Sequence, residues 1–350
     1  MKYCQYINGE LFIEGVAISK IASKIGTPFY CYSSTKIETE YKEFSDAFSN
    51  INSTICYSVK ANSNLSVIRT LSNLGAGADV VSGGELLRAL RGGVSPQKIV
   101  FSGVGKTDQE LEMAVENNIL QINAESISEL NRLNIIAERY NKIPKVGIRV
   151  NPDVEAGSHD KISTGRKEDK FGIDLENVRE IFSTNKNLKN IELVGLAIHI
   201  GSQLQSLSPF EEAFKRLEKI LTTLVSENHK IETIDLGGGL GIDYSQDIVL
   251  DILEYNKLVK KYFSSFDCNI IFEPGRRIVG NAGILIAQVI CVKPGIEKQF
   301  VVLDAAMNDL LRPSLYGAIH EIIPINYNRQ KSPKLLTDIV GPICETGDFF

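Results

Sequence analysis

What most constrains this chain is a recurrence: short β-rich runs, each ending in a polar or glycine residue and each followed by a segment of helical period. Eight runs stand out: Thr54–Val59, Ala76–Val80, Ile99–Phe101, Leu120–Ile122, Val146–Val150, Val194–Ile200, Thr233–Leu236 and Asn269–Phe272. Helix starts fall between them. Thr107 with Glu110, Ser126 with Glu129, and Ser208 with Pro209 and Glu211 carry the signal in which side-chain oxygens satisfy the open N–H groups of a first turn. Phe210, Ala213, Phe214, Leu217, Ile220, Leu221 and Leu224 give one helix an apolar stripe for a sheet. Gly75 sits where the helix carrying Leu65, Ile68 and Leu71 should stop. Strand and helix alternating eight times over roughly 230 residues predict an α/β fold, a (β/α)8 TIM barrel, whose usual size is about 250 residues. A doubly wound open sheet is the competing arrangement.

Beyond Arg276 the runs GILIAQVICV and FVVLDAAM are strand-rich, with turn residues between them and no strong helix signal. They read as a second, all-β domain of Greek-key type. The stretch YINGELF, with Asn8-Gly9 at its turn, reads as a hairpin that packs with that domain. The expected division is 1–25 for this N-terminal segment, 26–278 for the barrel and 279–350 for a partial β-domain.

Composition narrows the function classes. Hydrophobic residues make up 43% and charged residues 23%, and the net charge of -5 is spread without a basic run, so a nucleic-acid footprint is missing and a small-molecule partner is expected. Glu10 and Glu14 interrupt what a signal peptide would need, and no window reaches the ~20 apolar residues of a membrane span, so a cytoplasmic protein is expected. The six cysteines are dispersed, with no C-x-x-C pair and no histidine at zinc-ligand spacing; they read as reduced thiols, mostly buried, and no metal is expected.

In a barrel, chemistry gathers at the C-terminal ends of the strands. The polar residues there are Lys60, Asp79 and Ser82, Arg149, His199, Gly237 to Gly239, and Glu273 with Arg276. Lys60, in YSVKAN beside Tyr57 and Val59, is expected to be desolvated, neutral and a Schiff-base nucleophile, against the plainer reading of a surface lysine. The run GGGLG, Gly237 to Gly241, precedes a segment able to open a helix and lets backbone N–H groups approach a phosphate, although a tight barrel loop would look the same. Glu273 in EPGR suits a pyridine nitrogen that must stay protonated, and Pro274-Gly275 turns Arg276 back toward the mouth, where its planar fork suits a phosphate or carboxylate. A structural ion pair is the alternative. His199, in HIGSQ with Gly201 and Ser202, could stack on a flat cofactor or be a satisfied core histidine. In the β-domain, Arg312 and Tyr316 could grip a carboxylate, Glu345 an ammonium, and Cys344 beside it could transfer a proton.

In order along the chain, YSVKAN, ADVVSGGEL, RVNPDV, HIGSQ, GGGLG, EPGR, LRPSLYGAIH and GPICETGD resemble the diaminopimelate decarboxylase family, of the alanine-racemase-like class of pyridoxal-phosphate enzymes. The motifs up to EPGR are shared with ornithine and arginine decarboxylases; HDKISTGRKEDKFGI, from His159 through Lys170 and Phe171 to Ile173, with LRPSLYGAIH and CETGD, points to diaminopimelate. The resemblance implies pyridoxal 5'-phosphate on Lys60 with Asp79 as its polar partner and His199 stacked on the ring. It implies phosphate held by Gly237, Gly238 and Gly239 with Ser202 and the Pro274-Gly275-Arg276 turn, and Glu273 at the ring nitrogen. Arg276, Arg312, Tyr316 and Glu345 would contact substrate, and Cys344 would enter from a neighbouring subunit of a homodimer to donate a proton. Decarboxylation of meso-2,6-diaminopimelate to L-lysine and CO2 is the implied reaction; ornithine, arginine or carboxynorspermidine decarboxylation, or a non-catalytic regulatory relative, are the alternatives. Family members continue past CETGD through further strands to a tyrosine at the site, which implies that this chain is C-terminally truncated.

Overall fold

The structure, a computed structural model, describes residues 3–155, 169–184, 188–244, 249–327 and 335–350. The chain forms two compact units, Ile37–Ile242 with Ile248–Asn281, and Met1–Lys36 with Asp243–Asp247 and Ala282–Phe350.

The larger unit is the barrel. Its strands are β1 Ser53–Ser58, β2 Gly77–Val80, β3 Ile99–Phe101, β4 Gln121–Ala124, β5 Lys145–Asn151, β6 Glu192–Ala197, β7 Thr233–Asp235 and β8 Asn269–Phe272. Each pairs in parallel with the next, and β8 returns to β1 with Ile270 opposite Ser53, Ile271 opposite Thr54 and Phe272 opposite Ile55. The ring is therefore closed, and the open-sheet alternative is excluded. β2, β3 and β4 are buried at every position, as strands between a packed lumen and a helix layer must be. A helix follows each strand, from Leu65–Asn73 after β1 to the short Arg276–Val279 after β8.

Local chemistry explains the helix limits. Thr107 and Glu110 form the expected reciprocal cap: Glu110 N donates to Thr107 Oγ1 at 3.3 Å and Thr107 N to Glu110 Oε2 at 2.9 Å. At Ser126 only half of the box forms, because the Glu129 carboxylate instead accepts from Glu125 N and pairs with the buried Lys106 at 2.7 Å. At Ser208 the forecast cap is corrected. Leu207 is the N-cap and makes no side-chain bond; Pro209 in the first turn has no N–H needing an acceptor, so the helix Ser208–Ser226 begins without one. Of its apolar stripe, Phe210, Ala213, Phe214, Leu217, Leu221 and Leu224 are buried, while Ile220 is only partly covered. Removing one such leucine side chain would cost about 2–5 kcal/mol. The GGGLG run does not open a helix; the next one, Ile252–Phe263, is capped by Asp251, which accepts from Leu253 N at 2.8 Å. Phe48, Phe272, Tyr255 and Phe210 interlock behind β8, with Phe48 and Phe272 ring centroids 4.2 Å apart.

The second unit is built from short strands. Cys4–Ile7 and Glu10–Ile13 form an antiparallel hairpin around Asn8 (φ 52°) and Gly9 (φ 84°), the left-handed pair a two-residue turn needs. Phe29–Tyr32 pairs antiparallel with Gly283–Ile286, and Leu11, Ile13, Ile18 and Ile286 make a small core. Gln299–Leu303 lies antiparallel to Val289–Lys293 and parallel to Thr337–Val340. Two helices, Ile18–Ile25 and Arg312–Tyr316, accompany the strands.

Cysteine burial is corrected: only Cys56 and Cys268 are buried, whereas Cys291 and Cys344 are exposed; all six are free thiols. Among the described residues no helix is long and apolar enough to cross a membrane, and no cluster of side chains suits a metal ion.

Candidate active site

The barrel mouth holds a cavity of about 460 Å³ lined by Lys60, Ser102, Asn123, Arg149, His199, Ser202, Asp235 and Glu273, among others. That lies in the size range of small-molecule sites. Parallel strands all point their C-terminal ends here, which is why residues far apart in sequence converge.

Lys60 sits in the 3-10 turn Val59–Ala61 that ends β1, and β2 carries Asp79 one strand away. Lys60 Nζ lies 3.1 Å from Asp79 Oδ2, which also accepts from Ser58 Oγ at 2.6 Å. Asp79 is fully buried, whereas the Lys60 side chain keeps 47% of its surface exposed at the cavity. Burial pulls the Lys60 amine down, but Asp79 and Glu273 outweigh it and leave the amine above its ordinary value. The expectation of a neutral amine is thus corrected. Desolvation alone would lower it; the Asp79 carboxylate at 3.1 Å, with Glu273 beyond it, more than offsets that pull.

Glu273 ends β8, next to β1. Its N–H donates to Gly237 O at 2.8 Å, and Ser58 N–H donates to Pro274 O at 3.2 Å, so the EPGR turn is laid against the Lys60 turn. Gly275 belongs there because a Cβ would press on the Ser58 and Ala61 side chains. Burial, with Asp235 and Asp79 nearby, raises the Glu273 carboxyl well above its usual range; Asp235, hydrogen-bonded to it, is pushed up to about 6 by burial. Two contacting acids in a buried site cannot both ionise freely, so both carboxyls lie above their ordinary range and the pair holds on to a proton. Arg276 opens the helix Arg276–Val279.

His199 follows β6. Its Nδ1 accepts from Gly238 N at 3.2 Å, and burial, with Lys60 and Arg149, keeps the imidazole well below its usual 6.5 and neutral. Ser202 lines the cavity. Two of the three glycine amides already have protein acceptors: Gly237 N donates to Asp235 Oδ1 at 3.0 Å and Gly238 N to His199. The glycines are also needed by packing. A Cβ on Gly237 would collide with Ile198 O, on Gly238 with Glu273 O, and on Gly239 with Gly201 O.

Arg149, from β5, pairs with Glu125 at 2.8 Å and lies 4.8 Å over the Phe171 ring. Of the stretch His159 to Phe171, residues 159–168 lie outside the described residues. Arg312, Tyr316, Cys344 and Glu345 belong to the second unit. The Arg312 guanidinium packs 4.8 Å from the Tyr244 ring and 5.5 Å from the Tyr316 ring, and Ser314 Oγ donates to Gly347 O, drawing the Arg312 helix and the GPICETGD turn together.

Sequence reasoning missed Asp235, Asn123, Ser102 and Glu125. Asp235 had a signal: an acid inside the β-rich run TIDL, two residues ahead of the glycines. Asn123 and Ser102 had none, since a single polar residue in a short strand reads as surface.

A parallel barrel whose Lys60 and Glu273, at the ends of β1 and β8, face one cavity, with Asp79 of β2 buried against the lysine, defines a pyridoxal-dependent decarboxylase, and the family model described as "Pyridoxal-dependent decarboxylase, pyridoxal binding domain" matches residues 34–280. The diaminopimelate decarboxylase of Aquifex aeolicus is 45% identical over 348 residues, 99% of this chain and 82% of the relative. Among solved structures, diaminopimelate decarboxylase from Helicobacter pylori complexed with L-lysine superposes with a TM-score of 0.90 at 41% identity, covering 95% of this chain and 83% of that one. The enzyme from M. jannaschii in co-complex with L-lysine gives 0.93 at 36%, covering 100% and 83%. The chain belongs to the diaminopimelate decarboxylase family.

Proposed function

We propose that this chain decarboxylates meso-2,6-diaminopimelate to L-lysine and CO2, the last step of lysine biosynthesis, in the cytoplasm, with pyridoxal 5'-phosphate carried on Lys60. The observation that carries the reading is the Lys60 amine, held at 3.1 Å by the buried Asp79, facing the same cavity as Glu273. The residues suit the cofactor. Asp79 Oδ1 is buried and has no hydrogen-bond partner among the described residues, and the cavity joins an amine, a flat neutral imidazole and a buried acid pair, which an aldehyde, a ring face and a ring nitrogen require.

When bound, pyridoxal phosphate supplies an aldehyde that condenses with amines and a cationic ring that accepts the electron pair left when a carboxylate departs. Lys60 Nζ must first lose its proton, and Asp79 orients it. Glu273 holds a proton at the ring nitrogen. His199 covers one face and excludes water from it. The Gly237–Gly239 loop, with Ser202 and the Pro274-Gly275-Arg276 turn, binds the phosphate. At the far end of a diamino-dicarboxylate, Arg312 and Tyr316 take the carboxylate and Glu345 the ammonium, with Arg276 a further contact. The partner subunit's Cys344 delivers a proton to the α-carbon from Sγ, which makes the working form a homodimer with shared sites.

Borohydride reduction of reconstituted protein followed by peptide mapping tests the cofactor reading; the phosphopyridoxyl adduct is expected on Lys60, and an adduct elsewhere would overturn it. Turnover of meso-diaminopimelate in preference to ornithine, arginine and carboxynorspermidine tests the substrate. Mixing Lys60→Ala with Cys344→Ala protein should restore part of the lost activity if sites are shared.

A further inference from the structure

Inside the barrel, from below the cavity up into its lining, runs a buried chain of polar side chains of which the scheme above uses only Glu273. Thr233 Oγ1 bonds Gln121 Oε1 at 2.6 Å, and Gln121 Nε2 bonds Asn123 Oδ1 at 2.7 Å. Asn123 Nδ2 reaches both Asp235 Oδ2 at 2.8 Å and Ser102 Oγ at 3.1 Å, and Ser102 Oγ bonds Glu273 Oε1 at 3.3 Å. All six residues are under 8% exposed.

The direction of each bond is fixed from one end. Gly237 N can only donate, so Asp235 Oδ1 must accept. Asp235 Oδ2 accepts from the NH2 of Asn123, which leaves the Asn123 oxygen for Gln121. The same NH2 occupies a lone pair of Ser102 Oγ. The hydroxyl hydrogen of Ser102 then has one acceptor left in the chain, Glu273 Oε1. One backbone amide of the glycine turn thereby orders a chain that ends on the acid of β8.

We propose that Asn123 and Asp235 are positioning residues that lock the carboxyl of Glu273 to the glycine turn, so that the groups meeting the cofactor's ring nitrogen and its phosphate form one rigid piece. The proposal rests on the pyridoxal phosphate reading. Asn123→Ala cuts the chain at its branch. Asp235→Asn leaves one oxygen for two donors. Both break the order.

The test titrates apoprotein with pyridoxal phosphate labelled with 15N in the ring, following the visible band, the dissociation constant and the ring-nitrogen NMR signal. Asn123→Ala and Asp235→Asn should weaken binding tenfold or more and move the ring-nitrogen signal. Thr233→Val, which cuts the far end, should lower the melting temperature and leave affinity and ring signal unchanged. Ser102→Ala removes only the last link, guarding against a variant that fails to fold; it should move the ring signal, and Ser102→Thr, which keeps the hydroxyl, should restore it. Wild-type affinity and ring signal in Asn123→Ala or Ser102→Ala would overturn the proposal, as would a Thr233→Val shift equal to theirs. Wild-type protein that takes up no cofactor would instead fail the underlying reading, a result seen without any variant.

Discussion

Glu125 Oε1 lies 2.8 Å from Arg149 Nη1, and the same oxygen accepts from Gly103 N at 2.9 Å while Oε2 accepts from Gly172 N at 3.0 Å. The residue directly after β4 thus ties the loops following β3 and β5 to the arginine that lines the cavity. Glu125→Ala would leave a buried guanidinium without its anion, at a cost of about 3–5 kcal/mol. Glu125→Gln keeps the shape and one acceptor and should cost less. Urea unfolding of both variants checks the order, and equal losses would mean that the charge, which both variants remove, carries the whole effect and the retained amide acceptor nothing.

The neutral imidazole of His199 carries a pH signature in the apoprotein. Its native value lies well below 6.5, chiefly through burial, so an unfolded chain takes up a proton just below 6.5 that the native chain refuses. Its contribution is fully present above 6.5 and is lost as pH falls toward the native value. Asp235 and Glu273, both raised, run the other way: their contribution is complete below the ordinary carboxylate range and is lost as pH rises, for Asp235 through about 6. Denaturant midpoints for wild type and His199→Gln from pH 8 to 5 isolate the histidine. The difference between them should change as pH drops below 6.5, with wild type losing more; a constant difference would remove the assignment.

Gly237 has φ 65°, and any Cβ there meets Ile198 O. Gly237→Ala combines left-handed strain with a backbone collision and should lower stability by roughly 1–3 kcal/mol. A thermal melt of the apoprotein reads this without reference to cofactor. An unchanged melt together with lost cofactor affinity would assign the glycine to phosphate approach alone.

Asp348 is 3% exposed and accepts from Met307 N at 2.6 Å and Ile343 N at 2.9 Å, closing the turn that carries Cys344 and Glu345. Asp348→Ala should cost about 3–6 kcal/mol, since it removes two hydrogen bonds to a carboxylate, each worth about 1.5–3 kcal/mol. Asp348→Asn keeps one acceptor and should recover part of the loss. The denaturant midpoint of each variant decides.

The ring of eight strands was legible in the sequence because each run is short, β-branched and followed by a helix period, a signal that depends only on neighbours. Lys60, Asp79, His199 and Glu273 could be found because strand ends of a parallel barrel share one face. Glu125, Asn123 and Ser102 could not, because their meaning lies in partners on other strands. The charge of Lys60 was misjudged for the same reason: burial could be read from Tyr57 and Val59, but Glu273 reaches the lysine only through the pairing of β8 with β1. At Ser208 a local signal misled, because the proline beside it already relieves the need for a cap.

The seam between β8 and β1 sets a timetable for synthesis. A ribosome releases the lysine turn early, yet its facing acid leaves on the last strand of the barrel, and the strands between them can assemble only into a curved sheet with two raw edges until that strand docks. A nascent chain therefore cannot complete the cavity that Lys60 and Glu273 line before the ring closes.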